Sequence, residues 1–170
     1  MMEFIAAKME DSQLIYEMMV RAKEDSIKNG IFQWDDRYPT RKMLDGDIAN
    51  GYTELVLLES NVVAFFTSNS ICEDDVHNHI KWLNEGENWV ILHRLCVDPV
   101  FQNAGLGKKI VSQFEQRAIS RKYDSIRIDV FGTNEKAIHI YEKAGFTRVG
   151  QAMCERGQFF IYEKLLDCQL

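Results

Sequence analysis

Apolar residues recur along the chain with two periods, and elements begin and end where the period changes. Phe4 to Ala7 is a short apolar run that predicts a first strand. Leu14, Ile15, Met18, Met19, Ala22 and Ile27 then recur at helical spacing. Asp11 or Ser12 would cap that helix and Asn29-Gly30 would end it. "IFQWDDRYP", aromatic and acidic together, leads to a second helix predicted from Thr40 to Asn50 and stopped by Gly51. "YTELVLLE" and "VVAFFTS" read as strands around a turn at Ser60-Asn61. "CEDDVHNHIKWLNEGEN" reads as a loop with some strand in it, and Trp89 to Val97 as a strongly apolar strand. Leu106, Ile110, Val111, Phe114, Ala118 and Ile119 form one helical face. The strand "SIRIDVF", the helix "NEKAIHIYEKAG" closed by Gly145, and the strand "FTRVGQAM" follow. A turn at Arg156-Gly157 and "QFFIYEKLL" complete the chain. The order β-α-α-β-β-β-α-β-α-β-β shows no repeat and no linker, and predicts one mixed α/β domain over residues 1–170.

Composition narrows the function classes. A formal net charge of −6 argues against a nucleic-acid surface and mildly favours a cationic partner. No run of about 18 apolar residues is present, so no membrane span is expected. The first residues, MMEFIAAKMEDSQ, lack the basic and apolar regions of a signal peptide, so a cytoplasmic protein is expected. Cys72, Cys96, Cys154 and Cys168 are far apart and form no CxxC pair. His77 and His79 lie in an acidic stretch and read as solvated loop, so no metal is expected.

Candidate chemistry concentrates in "VDPVFQNAGLGKKIVSQFEQRA". Gln102, Gly105 and Gly107 stand between a buried strand and a helix, followed by Lys108 and Lys109. A helix start exposes unpaired N–H groups and positive partial charge. Glycines there let the backbone close around an anion such as a phosphate or pyrophosphate. The spacing fits neither GxxxxGK[ST] nor GxGxxG. A simple turn with a helix cap is the other reading of so short a pattern.

"LHRLCVDPVFQNAGLGKKI" resembles the acetyl-CoA motif of the GNAT superfamily of N-acetyltransferases: a strand, a V-x-P corner, then [QR]-x-x-G-x-[GA] opening a helix. "RIDVFGTNEKAIHIYEKAGFTRVG" is similar to the family's later motif, a strand, an Asn, then A-x-x-x-Y-x-K-x-GF. The resemblance implies a mixed, mostly antiparallel sheet of about seven strands, with helices on both faces and central strands that splay apart. It implies acetyl-CoA as cosubstrate and no metal. The backbone of Leu95, Cys96 and Val97 would pair with the pantetheine arm. The N–H groups of Gln102, Asn103, Ala104, Gly105, Leu106, Gly107 and Lys108 would hold the pyrophosphate. A bulge near Leu95 would aim an N–H at the thioester oxygen. Asn134, Tyr141 and Lys143 would lie at the cofactor, with the Tyr141 hydroxyl near the sulfur to protonate or stabilise a departing thiolate.

The acceptor side departs from the family pattern. Some members place a glutamate where this chain has Ile91. Strand alternation puts His93 on the same face as Ile91 and Leu95, and an imidazole titrates near neutrality, so His93 is the candidate base. A histidine bonded within the sheet is the plainer reading, with a water chain or an acidic loop residue as base. Arg94 and Cys96 alternate to the other face, Arg94 pairing with Asp129 and Cys96 as a small core residue. Trp34, Asp35 and Tyr38, with Asp36, are expected to form an acceptor wall.

The resulting expectation is acetyl transfer from acetyl-CoA to a primary amine of a small molecule, by direct attack in a ternary complex. Acetylation of a protein N-terminus or lysine is the second enzymatic reading, and a non-catalytic acyl-CoA-binding module the third. The resemblance leaves room for a homodimer.

Overall fold

The computed structural model describes residues 1–72, 74–77, 79–102 and 104–167, the side chains of 74 and 75 excepted. The strands are β1 (Met2–Ala6), β2 (Thr53–Leu58), β3 (Asn61–Asn69), β4 (Trp89–Val97), β5 (Ser125–Phe131), β6 (Thr147–Cys154) and β7 (Gly157–Leu165). The helices are α1 (Ser12–Lys28), α2 (Arg41–Ala49), the single turn α3 (Asp74–His77), α4 (Leu106–Ser120) and α5 (Glu135–Lys143). One sheet takes the order β1-β2-β3-β4-β5-β7-β6. The pairings β1–β2, β2–β3, β5–β7 and β6–β7 are antiparallel. The pairing β4–β5 is parallel and covers only Trp89–Ile91 against Ser125–Arg127 among the described residues. The two strands expected to part do leave each other's ladder after Ile91.

Two compact units divide the chain: Met1–Ser68 with His93–Leu106, and Asn69–Leu92 with Gly107–Leu170. In the first, Ile15, Met18, Met19 and Ala22 of α1 meet Leu44 and Ile48 of α2 and Leu55 and Phe65 of the sheet. Leu14 and Ile27, expected on that stripe, are exposed at the flanks of α1. In the second, Ile110, Val111 and Phe114 of α4 are buried, as are Ile126 and Ile128 of β5 and Ile161 and Tyr162 of β7.

Local chemistry sets the boundaries. Thr40 caps α2 by accepting from the Met43 N–H at 3.2 Å. Asp11 does not cap α1; its carboxylate turns back to the Lys8 N–H at 2.8 Å. The β2–β3 turn is Glu59-Ser60, both at positive φ (51° and 69°), because a two-residue hairpin needs left-handed central residues to match strand twist. Asn61, expected in that turn, already pairs with Leu58. The last hairpin turns at Glu155-Arg156, with Gly157, at φ +124°, paired to Cys154.

The segment 70–88 forms no strand among its described residues and contains α3 instead. It is held by a buried charge centre in the second unit. The Glu163 carboxylate accepts from Leu83 N–H, from Asn84 N–H at 3.2 Å, from Ser125 Oγ at 2.8 Å and from Arg127 Nε at 3.1 Å. Arg127 also donates to Asn84 O at 3.0 Å, with the Trp82 and Trp89 rings 4.0 and 4.3 Å from its guanidinium. A polar run therefore keeps one path because its backbone donors are satisfied by a side chain from a strand. Among the described residues, no helix is long and apolar enough to cross a membrane. No group of three or more His, Cys, Asp or Glu among them could hold a metal ion.

Candidate active site

The corner after β4 is fixed from several sides. The Asp98 carboxylate is buried, accepts from Val100 N–H at 3.1 Å and pairs with Arg21 of α1 at 2.5 Å. The Asp98 N–H bonds Val63 O at 2.9 Å, and Gln102 Nε2 reaches back to Val97 O at 3.2 Å. This locked corner sets the start of α4 at Leu106. The Gln102 N–H, expected at the pyrophosphate, goes to Pro99 O at 3.2 Å within the turn. Asn103 lies outside the described residues. Ala104 and Gly105 are exposed, and the first amides of α4, Leu106, Gly107 and Lys108, have no partner within the helix. Lys108 and Lys109 are exposed beside them.

The two glycines serve different ends. Gly105 sits at φ +69°, and a Cβ built there meets nothing within 4 Å. The left-handed angle favours glycine, and the space around it is open. At Gly107 a Cβ would lie 3.2 Å from Ile140 Cδ1, so this glycine lets α4 pack on α5. Gly105→Val should therefore remove anion binding through the backbone. Gly107→Ala should cost stability before it costs affinity. Thermal melts with and without coenzyme A separate the two effects.

α5 begins with Asn134, whose side chain accepts from Ala137 N–H at 3.1 Å. The same residue expected at the cofactor is thus the helix cap. Tyr141, one helical step beyond Ile140, is 7 % exposed and meets Phe146 edge-on at 5.9 Å. Burial, and secondarily the charge of Asp129, pushes its phenol well above the ordinary range. The hydroxyl is therefore a hydrogen-bond donor throughout neutral pH. Lys143 is exposed at the end of α5. His77 is buried beside Trp82, with Nε2 3.7 Å from Asp129, rather than in solvated loop. His79 is exposed.

On the acceptor side the strand breaks its own alternation. Arg94 has φ +47°, inside β4, so the parity that joins His93 to Leu95 does not carry through. Leu95 and Val97 are half-buried, and the β4–β5 ladder has ended before them. Cys96 is core, and burial followed by the Asp98 charge raises its thiol far out of nucleophile range. Arg94, expected beside Asp129, donates to Asp47 of α2 at 2.9 Å and lies 5.2 Å from the Tyr38 ring. Burial raises the Asp47 carboxyl, against the opposing charges of Arg94 and His93. His93 is 5 % exposed.

The residues of the expected acceptor wall are engaged by the loop and by α1. Trp34 belongs to the core of its unit. Asp35 accepts from the Arg37 and Tyr38 N–H groups at 2.7 and 3.0 Å and pairs with the Arg37 side chain. Asp36 pairs with Lys23 at 2.8 Å. Sequence reasoning missed Asp47 and Asp98. Asp47 was legible as an acidic residue on the stripe Leu44–Ile48, and Asp98 as the Asp that starts the Asp-Pro turn.

Three solved structures share the fold. A GNAT-family acetyltransferase from Streptococcus agalactiae is 22% identical over 96% of this chain and 95% of its own, with TM-score 0.83. An aminoglycoside acetyltransferase in complex with coenzyme A and kanamycin is 19% identical over 99% and 96%, with TM-score 0.73. The ribosomal-protein-S18-alanine N-acetyltransferase of Escherichia coli is 16% identical over 98% and 94%, with TM-score 0.64. At these identities the likeness speaks for the fold. The family model for acetyltransferases of the GNAT family matches residues 13–146, most of the sequence and both of its motifs. The chain belongs to the acetyltransferase (GNAT) family.

Proposed function

We propose that the protein transfers the acetyl group of acetyl-CoA to a primary amine of a small molecule, by direct attack in a ternary complex. The observation that carries this reading is the open, amide-lined entrance of α4 behind a locked corner, in a chain of this family. The residues fit the cosubstrate: Ala104 to Lys108 present backbone donors, and Lys108 and Lys109 basic side chains, suited to a pyrophosphate. Bound there, acetyl-CoA supplies an activated acetyl thioester. Leu95 to Val97 offer backbone bonds to the pantetheine arm. The Leu95 N–H is the candidate oxyanion donor, and Tyr141 donates toward the departing sulfur. His93 is the candidate base for the acceptor ammonium.

Saturating acetyl-CoA should raise the melting temperature. At a ligand concentration about 100-fold above Kd the native state gains about 2.7 kcal/mol, or roughly 5–10 °C for a chain of this size. An unmoved melt overturns the cosubstrate assignment. The acceptor class is tested by thiol release over a panel of aminoglycosides, amino-acid amides and N-terminal peptides. Release with the small amines supports the reading, and release with peptides alone replaces it.

His93→Ala should slow turnover at neutral pH and shift the acid limb of kcat. Two acceptors of different amine pKa separate this limb from the acceptor's own titration. A limb that follows the acceptor and survives His93→Ala at full rate assigns proton removal to water or another carboxylate.

A further inference from the structure

A strand residue with a Cβ does not adopt positive φ without cause. Its side chain crowds its own backbone there, and such residues persist only where the surroundings over-determine them. Arg94 is such a residue, at φ +47° in the middle of β4. Its guanidinium is held by Asp47 and faces Tyr38. Nη1 donates to Asp47 Oδ2 at 2.9 Å, and the Tyr38 ring lies 5.2 Å away. Both charged side chains are largely buried, 10 % and 16 % exposed, so the pair is sheltered from solvent screening.

Asp47 is itself fixed independently of β4. It sits between Leu44 and Ile48, the buried residues of α2. That helix is capped by Thr40 and tied to α1 through a bond from Ser12 to Asp45. The anchor is therefore rigid and the kinked residue is tethered to it.

The peptide that follows Arg94 carries the Leu95 N–H, and the backbone angles at residue 94 set its direction. We propose that the Asp47–Arg94 ion pair holds the left-handed kink of β4 and thereby aims the Leu95 amide at the reacting carbonyl. Asp47 and Arg94 are positioning residues in this role, and the role rests on the acetyl-transfer reading above. Without the pair, residue 94 relaxes toward extended backbone and the amide turns away.

Glycine separates this role from simple structural support, because it takes positive φ with no side chain to hold it there. Asp47→Ala and Arg94→Ala should lower kcat about 10–100-fold, the range for a misplaced catalytic group. The affinity for acetyl-CoA, read from titration, should change little. Arg94→Gly should retain most of the wild-type kcat, and Asp47→Ala should have no further effect in the Arg94→Gly background. Asp47→Asn serves if the alanine variant does not fold. A crystal structure of the Asp47 variant should show residue 94 in extended backbone.

The proposal is overturned if Arg94→Gly is as slow as Arg94→Ala. It is also overturned if Asp47→Ala slows the glycine variant as much as the wild type, or if φ at residue 94 stays positive in the Asp47 variant. Should the wild type acetylate no amine, the transfer reading falls. The backbone angle in the Asp47 variant then decides the kink on its own.

Discussion

Arg127→Met should lower the unfolding free energy by about 3–5 kcal/mol, the loss that follows when one partner of a buried ion pair is removed. Arg127 and Glu163 are 3 % and 0 % exposed, so the remaining carboxylate has no access to solvent. The melting temperature should fall by roughly 6–20 °C, from that loss and the shift usual per kcal/mol in a chain of this length. Arg127→Met with Glu163→Leu should recover part of the loss by removing the uncompensated charge. The recovery should be incomplete, because the Leu83 and Asn84 N–H groups then lose their acceptor. Limited proteolysis should cut the segment 70–88 faster in both variants. A double variant less stable than Arg127→Met alone would mean that the carboxylate's bonds to backbone and Ser125 outweigh its charge.

Tyr141→Phe should lower kcat about 10²-fold or somewhat less, the usual contribution of a positioned acid, and leave the acetyl-CoA affinity nearly unchanged. The ring keeps its edge contact with Phe146, so the substitution removes the hydroxyl alone. Burial and Asp129 raise the phenol pKa, which makes complete proton transfer to an ordinary thiolate, pKa about 8.5, unfavourable. The hydroxyl then acts by hydrogen bonding to the sulfur as charge develops there. Because the folded pKa is raised, the donor is intact at all lower pH. The wild-type kcat profile should show no alkaline limb from Tyr141 below about pH 10. Equal turnover in the two proteins would assign thiolate stabilisation to solvent.

The elements were legible because each long one has a single clear period. β4 and β5 have the bounds that the apolar runs of Trp89 to Val97 and "SIRIDVF" predict. The segment 70–88 was not legible, since its path depends on Glu163, a residue of β7 remote in sequence. The alternation that would join His93 to Leu95 is interrupted at Arg94 for the same kind of reason. The positive φ of this arginine accompanies an ion pair with Asp47 of a different element, and no local pattern announces it. Gln102 and Gly107 stood in the expected motif, and contacts with Pro99 and Ile140 give both a part in the fold. The aspartates beside Trp34 drew attention by their charge, which Arg37 of the loop and Lys23 of α1 engage.

Of the three tryptophans in the sequence, Trp82 and Trp89 face the same guanidinium and Trp34 lies in the core of the other unit. Intrinsic fluorescence is thus already divided between the two units. In a Trp34→Phe variant the emission reports the surroundings of Arg127 alone, and its red shift during unfolding dates the opening of that centre. In a variant with both Trp82 and Trp89 replaced by phenylalanine, Trp34 reports the other unit. Coincident denaturation curves from the two variants would describe one cooperative transition. Curves that separate would give each unit its own midpoint, with no external label attached.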